Sequence, residues 1–215
     1  MKIEVFYDTL CSWCRVGKIN FKHAVEKLAS EGKINPNDIE LVLRSYIIYP
    51  EVPKEGLNYR KVLEDDDDLE MIDPKHDTPI HRWGKRVGMT FNFENIKIKP
   101  NTMQAHQFLK LIDPKLIEPL LADIHTAYFE NGININDLNV ICELAKKYVS
   151  NVDKIKKRVL AGEGKAEVEK DIEIADAYNI DLVPLYVFDG KVRLEGAILQ
   201  KKFEEALLGQ IEPNM

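Results

Sequence analysis

Strand-like sequence lies at both ends of this chain, and a long stretch of helical periodicity separates them. Ile3–Tyr7 (IEVFY) and Ile39–Tyr49 (IELVLRSYIIY) are apolar, β-branched and aromatic runs, the pattern of buried strands. Between them Phe21, Ala24, Val25 and Leu28 recur at helical spacing, and Gly32 stops the run. Strand character returns only at Leu182–Gly196, where LYVF and KVRLE flank Asp189-Gly190, a strong hairpin signal. A last helical stripe carries Phe203, Ala206 and Leu207.

The two ends cannot stand alone. A βαβ unit and a ββα unit each leave apolar strand faces uncovered, and one shared sheet buries both. The expected architecture is α/β, with a sheet unit split by a large all-helical insertion. Residues 1–57 and 180–215 form the two halves, a helix at about 165–179 packs with them, and 58–164 form the insertion. Within the insertion, Pro79 opens one helix with Ile80, Trp83 and Val87 on its stripe. Asn101 and Thr102 cap a second, which carries Ala105, Phe108, Leu109 and Ile112. Leu116, Leu120, Leu121, Ile124, Ala127 and Tyr128 mark a third, and Leu138, Ile141, Cys142 and Ala145 a fourth.

Charge and cysteine usage narrow the function. A net charge of −6 and the lack of a basic cluster argue against nucleic-acid binding. No apolar run approaches the ~18 residues of a membrane span, and the N-terminus lacks the apolar core of a secretory signal. A cytoplasmic protein is expected, with no membrane or nucleic-acid partner. Three cysteines in 215 residues do not make a disulfide framework.

Two of the three form a pair, Cys11-Ser12-Trp13-Cys14, where the first strand feeds its helix. Such a pair can clip a metal, sit inert in a core, or exchange electrons. A structural zinc site needs four ligands, and no second cysteine pair or paired histidine is present. At a helix start, unpaired N–H groups and the positive dipole end stabilise a thiolate. Redox exchange is therefore the expected chemistry, with no metal. Cys11 at the helix tip is the more exposed nucleophile, and Cys14, one turn in, the shielded resolving thiol. The acidic run Glu64–Glu70 reads as a solvated loop or a helix start, because consecutive aspartates cannot all face one ion. Cys142, on an apolar stripe, reads as a small buried hydrophobe.

Val183-Pro184 precedes the late strand. It is either an ordinary trans proline opening that strand, or a cis bond that presents the Val183 backbone to an extended substrate beside the dithiol.

Taken together, the order of elements resembles the DsbA-like branch of the thioredoxin fold, and is most similar to its FrnE-like subfamily. Three segments carry the resemblance: DTLCSWCRVGK (Asp8–Lys18), PNTMQAH (Pro100–His106) and VPLYVFDGKVRLEG (Val183–Gly196). It implies a thioredoxin-like fold and a thiol–disulfide oxidoreductase or isomerase. The implied roles are Cys11 as nucleophile, Cys14 as resolving thiol, Pro184 as cis proline and Val183 as backbone partner. Asp8 would relay protons or cap the turn before the helix, and the cap is the favoured reading. Ser12 and Trp13 tune the pair, and Ser12 stands where the family commonly has proline. His106 reads as a surface or core-edge histidine, while the resemblance places Asn101, Thr102 and His106 along the cleft opposite the dithiol.

No bound cofactor is implied, and glutathione or another thiol is the expected electron partner. Substrates are protein or small-molecule disulfides and thiols, and the protein is a monomer or homodimer. Two other readings share the fold. One is an enzyme like kappa-class glutathione transferases or 2-hydroxychromene-2-carboxylate isomerases, where a serine would stand at Cys11. The other is a non-catalytic peptide-binding module.

Overall fold

The computed structural model describes residues 1–73 and 77–215. β1 (Lys2–Tyr7) leads into α1 (Ser12–Ser30), and the chain returns through a 3-10 turn at Pro36–Asp38 to β2 (Glu40–Ser45). β2 lies parallel to β1, in register from Lys2↔Glu40 to Tyr7↔Ser45. The chain then runs through β3 (Leu57–Asn58), α2 (Tyr59–Asp65), α3 (Pro79–Arg86), β4 (Ile98–Lys99), α4 (Met103–Lys110) and α5 (Pro114–His125). A π-helical turn at Thr126–Glu130 extends α5 and is followed by α6 (Leu138–Ala145), α7 (Val152–Leu160) and α8 (Lys165–Ala177). Last come β5 (Leu185–Phe188), β6 (Val192–Glu195) and α9 (Gln200–Leu207).

The late strands complete the sheet begun at the N-terminus. Its order is β2-β1-β5-β6, and β5 runs antiparallel to both β1 and β6. The two central strands are buried on both faces. Ile3, Val5, Tyr186 and Phe188 point one way, into a cluster with Phe21, Ala24 and Leu28 of α1 and Phe203 and Leu207 of α9. Phe6, Leu185 and Val187 point the other way, into a core continuous with the helical stretch. That two-sided burial explains the continuous apolar runs in the sequence. The β5–β6 turn has both Asp189 and Gly190 at positive φ, 48° and 65°, as a type I′ turn requires. Asp189 also accepts the Lys2 N–H at 2.6 Å, stitching the hairpin to the start of β1.

The intervening stretch is helical apart from the two-residue β3–β4 ladder, among the described residues. A buried ionic cluster joins it to the sheet. Asp171 of α8 accepts from the Arg44 guanidinium at 3.0 Å and from the Ser45 N–H at 2.8 Å, and pairs with Lys110 of α4. Arg44 also pairs with Glu4 at 2.5 Å. A buried carboxylate persists only when its lone pairs are satisfied in this way.

Candidate active site

β1 ends at Tyr7, and the chain turns through Asp8, Thr9 and Leu10 before α1 begins. The turn is closed by main chain: the Asp8 carbonyl accepts the Cys11 N–H at 3.2 Å. Cys11 is the N-cap of α1, and its sulfur accepts the Cys14 N–H at 3.1 Å. One of the unpaired N–H groups of the helix start therefore points at the Cys11 sulfur, the environment that favours a thiolate.

The second contribution comes from the far end of the chain. The Val183–Pro184 peptide is cis, and the Cys11 thiol donates to the Val183 carbonyl at 3.5 Å. Pro184 packs against α1 itself, where a Cβ added at Gly17 would lie 3.0 Å from the Pro184 ring. All three cysteines are free thiols. Both cysteines are buried: Cys11, expected to be the more exposed of the two, is 5% exposed and Cys14 3%. Burial, with the Cys11 contact second, pushes the Cys14 thiol well above its ordinary range.

Asp8 behaves differently from a local turn cap. Its side chain is fully buried, and Oδ2 accepts the Ile48 N–H at 2.8 Å. Oδ1 faces His106 Nε2 at 3.1 Å. The carboxylate thus ties the end of β1 to the segment after β2 and to α4. This also explains why β2 stops short of Tyr49. Tyr46 N–H makes the last bond to β1, at Tyr7 O, and Ile48 N–H turns to Asp8 instead.

His106 is neither a surface nor a core-edge residue but wholly buried, with its ring 5.3 Å from that of Tyr7. Asn101 caps α4, accepting the Met103 N–H at 3.1 Å, and donates to the Val52 carbonyl at 2.7 Å. Thr102 makes no side-chain cap bond and is 2% exposed. Thr102 and His106 are both buried, and His106 connects to the turn before the dithiol through Asp8. Trp13 is half-buried, edge-on to Trp83 of α3 at 6.3 Å. Ser12 and Leu10 border a cavity of about 200 Å³ walled by Tyr49, Tyr59, Lys99 and Tyr128.

Two residues of the site escaped the sequence reading. Lys18 is largely buried, donates to the Glu118 carbonyl at 2.8 Å, and is held down to about 8 by desolvation. His125 is fully buried on α5. Its position between Leu121 and Phe129 on an apolar stripe was the available signal. Cys142 is buried, 5% exposed, on the core side of α6. Among the described residues no three His, Cys, Asp or Glu side chains gather as a metal site, and no helix is long and apolar enough to cross a membrane.

With this geometry in place, comparison with known proteins decides the family. The DSBA-like thioredoxin domain model matches residues 2–208. The chain belongs to the DsbA-like thioredoxin family. Its members exchange thiols and disulfides, and this DsbA-like protein is an oxidoreductase or isomerase of that general kind. No curated protein matches it. Among solved structures, a probable DsbA oxidoreductase from Streptomyces coelicolor superposes with TM-score 0.82 at 23% identity, covering 100% of this chain and 93% of that one. The cytosolic disulfide reductase DsbM from Pseudomonas aeruginosa, solved with GSH, gives 0.67 at 13% identity, with 98% of each chain covered. A 2-hydroxychromene-2-carboxylate isomerase gives 0.64 at 13%, covering 96% and 94%. At such identities these likenesses establish the shared fold.

Proposed function

We propose that this DsbA-like protein is a cytoplasmic thiol–disulfide oxidoreductase of the FrnE-like kind, in which Cys11 attacks and Cys14 resolves. The observation that carries the reading is the placement of the Cys11 sulfur. It accepts an N–H at the tip of α1 and lies 3.5 Å from the Val183 carbonyl. The first feature stabilises a thiolate. The second sets a main-chain acceptor beside it, where an extended substrate can pair.

In the reductive direction the Cys11 thiolate attacks one sulfur of a substrate disulfide. The substrate S–S bond breaks, and the departing thiolate takes a proton from solvent. Cys14, once deprotonated, attacks the Cys11 sulfur, closes the internal disulfide and releases the second substrate thiol. Two electrons pass from the protein to the substrate, and a thiol such as glutathione restores the pair. The cavity beside Leu10 and Ser12 is where the substrate chain lies, with the Tyr49 and Tyr59 rings as its apolar wall. Protein and small-molecule disulfides are both substrates under this reading. Asp8, Asn101 and His106 support the site by holding its segments together.

The test is a trapping experiment. Cys14→Ser should accumulate a mixed disulfide on Cys11 with a model disulfide, whereas Cys11→Ser should form none and lose turnover. Absence of any trapped adduct in Cys14→Ser would end this reading. The isomerase-like alternative gains only fold-level support from its structural neighbour, and Cys11 stands where that chemistry implies a serine. Tight glutathione binding with activity intact in Cys14→Ala would favour it instead.

A further inference from the structure

Exchange through this pair makes a demand that the helix tip does not meet. The N–H at the start of α1 points at the Cys11 sulfur, leaving Cys14 without that stabilisation. Cys14 is 3% exposed, and burial holds its proton on. Closing the internal disulfide requires that this proton be taken by something.

A cavity of about 500 Å³ runs between α1, α5 and the β1–β2 side of the sheet. Cys14, Lys18, His125 and Pro184 all contribute to its wall, and the exposed Lys22 and Glu26 mark its mouth. His125 is 0% exposed, and neither ring nitrogen has a hydrogen-bond partner among the described residues. Leaving a buried polar group unpaired costs about 1–3 kcal/mol, which makes such a group a candidate for a working role. Cys14 and His125 open onto this one cavity, so thiol and imidazole share its wall. The charged and titratable groups facing the ring are Arg15 and Lys18 from α1 and His106 from α4. Together with burial, the two cations hold His125 neutral, and a neutral imidazole is a base. Lys18 is a poorer acceptor, since it is engaged by Glu118 and titrates only near 8.

We propose that His125 is the proton acceptor for Cys14, taking the thiol proton through the shared cavity as Cys14 attacks Cys11. This rests on the dithiol-exchange reading and adds a residue to it. The Cys14 S–H bond breaks and its proton moves to a ring nitrogen. The sulfur electron pair forms the bond to Cys11, and the bond from Cys11 to the substrate sulfur breaks. The substrate leaves as a thiolate and is protonated by solvent. The imidazolium, disfavoured beside Arg15 and Lys18, gives its proton to solvent at the cavity mouth.

The experiment uses the full chain in a Cys142→Ala background and one equivalent of the aromatic disulfide 5,5′-dithiobis(2-nitrobenzoate). The first thionitrobenzoate released reports attack by Cys11, and the second reports attack by Cys14. In the wild-type sequence at His125, the second phase should stay nearly flat from about pH 7 to about pH 9, because the acceptor is already neutral. His125→Gln should leave the first phase unchanged, slow the second about 100-fold near neutral pH, and make it climb about tenfold per pH unit. His125→Asn serves as a second variant, and the wild-type profile needs none. A wild-type second phase that itself climbs about tenfold per unit overturns the proposal. So does a variant whose second phase matches wild type. In either case exchange by the pair survives. A first release with no second in the wild type overturns the exchange reading itself.

Discussion

Removing the Asp8 carboxylate should cost far more than removing a turn cap. Its two oxygens satisfy the Ile48 N–H at 2.8 Å and face His106 Nε2 at 3.1 Å, all at a fully buried position. A hydrogen bond to a charged group contributes about 1.5–3 kcal/mol. Asp8→Leu removes both and leaves an N–H and an imidazole nitrogen buried without partners. The expected loss is therefore about 3–5 kcal/mol, whereas a lost cap costs about 1 kcal/mol. Asp8→Asn keeps an oxygen for Ile48 and a nitrogen for His106, and should lose about 1–2 kcal/mol. Urea unfolding at neutral pH measures both. In a chain of this size Asp8→Leu should melt roughly 10 °C lower. Neither variant alters the main-chain bond from Cys11 N–H to the Asp8 carbonyl, so Asp8→Asn should exchange thiols within about threefold of wild type. An Asp8→Leu loss below about 1 kcal/mol would refute the clamp. Asp8→Asn with normal stability but exchange slowed about 30-fold would instead make the carboxylate a participant in proton transfer.

Two more perturbations probe the same region. Lys18 titrates at about 8 because burial disfavours its ammonium, against about 10.4 in an unfolded chain. Below the folded value both states are protonated and the native state bears the full penalty, about 3 kcal/mol. Between the two values the unfolded chain binds more protons, so this contribution makes stability rise with pH. Lys18→Met should therefore be more stable than wild type near neutral pH by up to about 3 kcal/mol, with the gap closing towards pH ~10. Equal unfolding free energies at both ends of that range would contradict the burial argument. Gly17 faces Pro184 so closely that an added Cβ would sit 3.0 Å from the ring and 3.5 Å from the Tyr186 hydroxyl. Gly17→Val should push the Val183–Pro184 segment off Cys11 and slow the first exchange phase about tenfold or more. An unchanged first phase would show that this segment does not position the reaction.

Much of the architecture was legible because it is written in short-range pattern. The α1 stripe, the Asp189-Gly190 turn and the helix at Lys165–Ala177 each carry their signal within a few residues. α2 and α7 did not, since the three buried apolar residues of α7, Val152, Ile155 and Val159, are diluted by Asp153, Lys154, Lys156, Lys157 and Arg158. The end of β2 was misplaced for another reason. Ile47, Ile48 and Tyr49 look like strand, but β1 has already ended and Asp8 takes the next N–H. Asp8 and His106 are 98 residues apart, so no local pattern could state that they meet.

Local chemistry set the reactive pair at a helix start, and apolar patterning required the chain ends to share a sheet. Both follow from interactions spanning a turn or a strand, which residue spacing encodes. Only the tertiary fold set the Val183 carbonyl against Cys11, buried both sulfurs, locked Asp8 onto Ile48 and His106, and put a buried His125 on the cavity shared with Cys14. Those outcomes depend on how distant segments exclude water around a few polar atoms, and burial of that kind exists only once the chain has closed on itself.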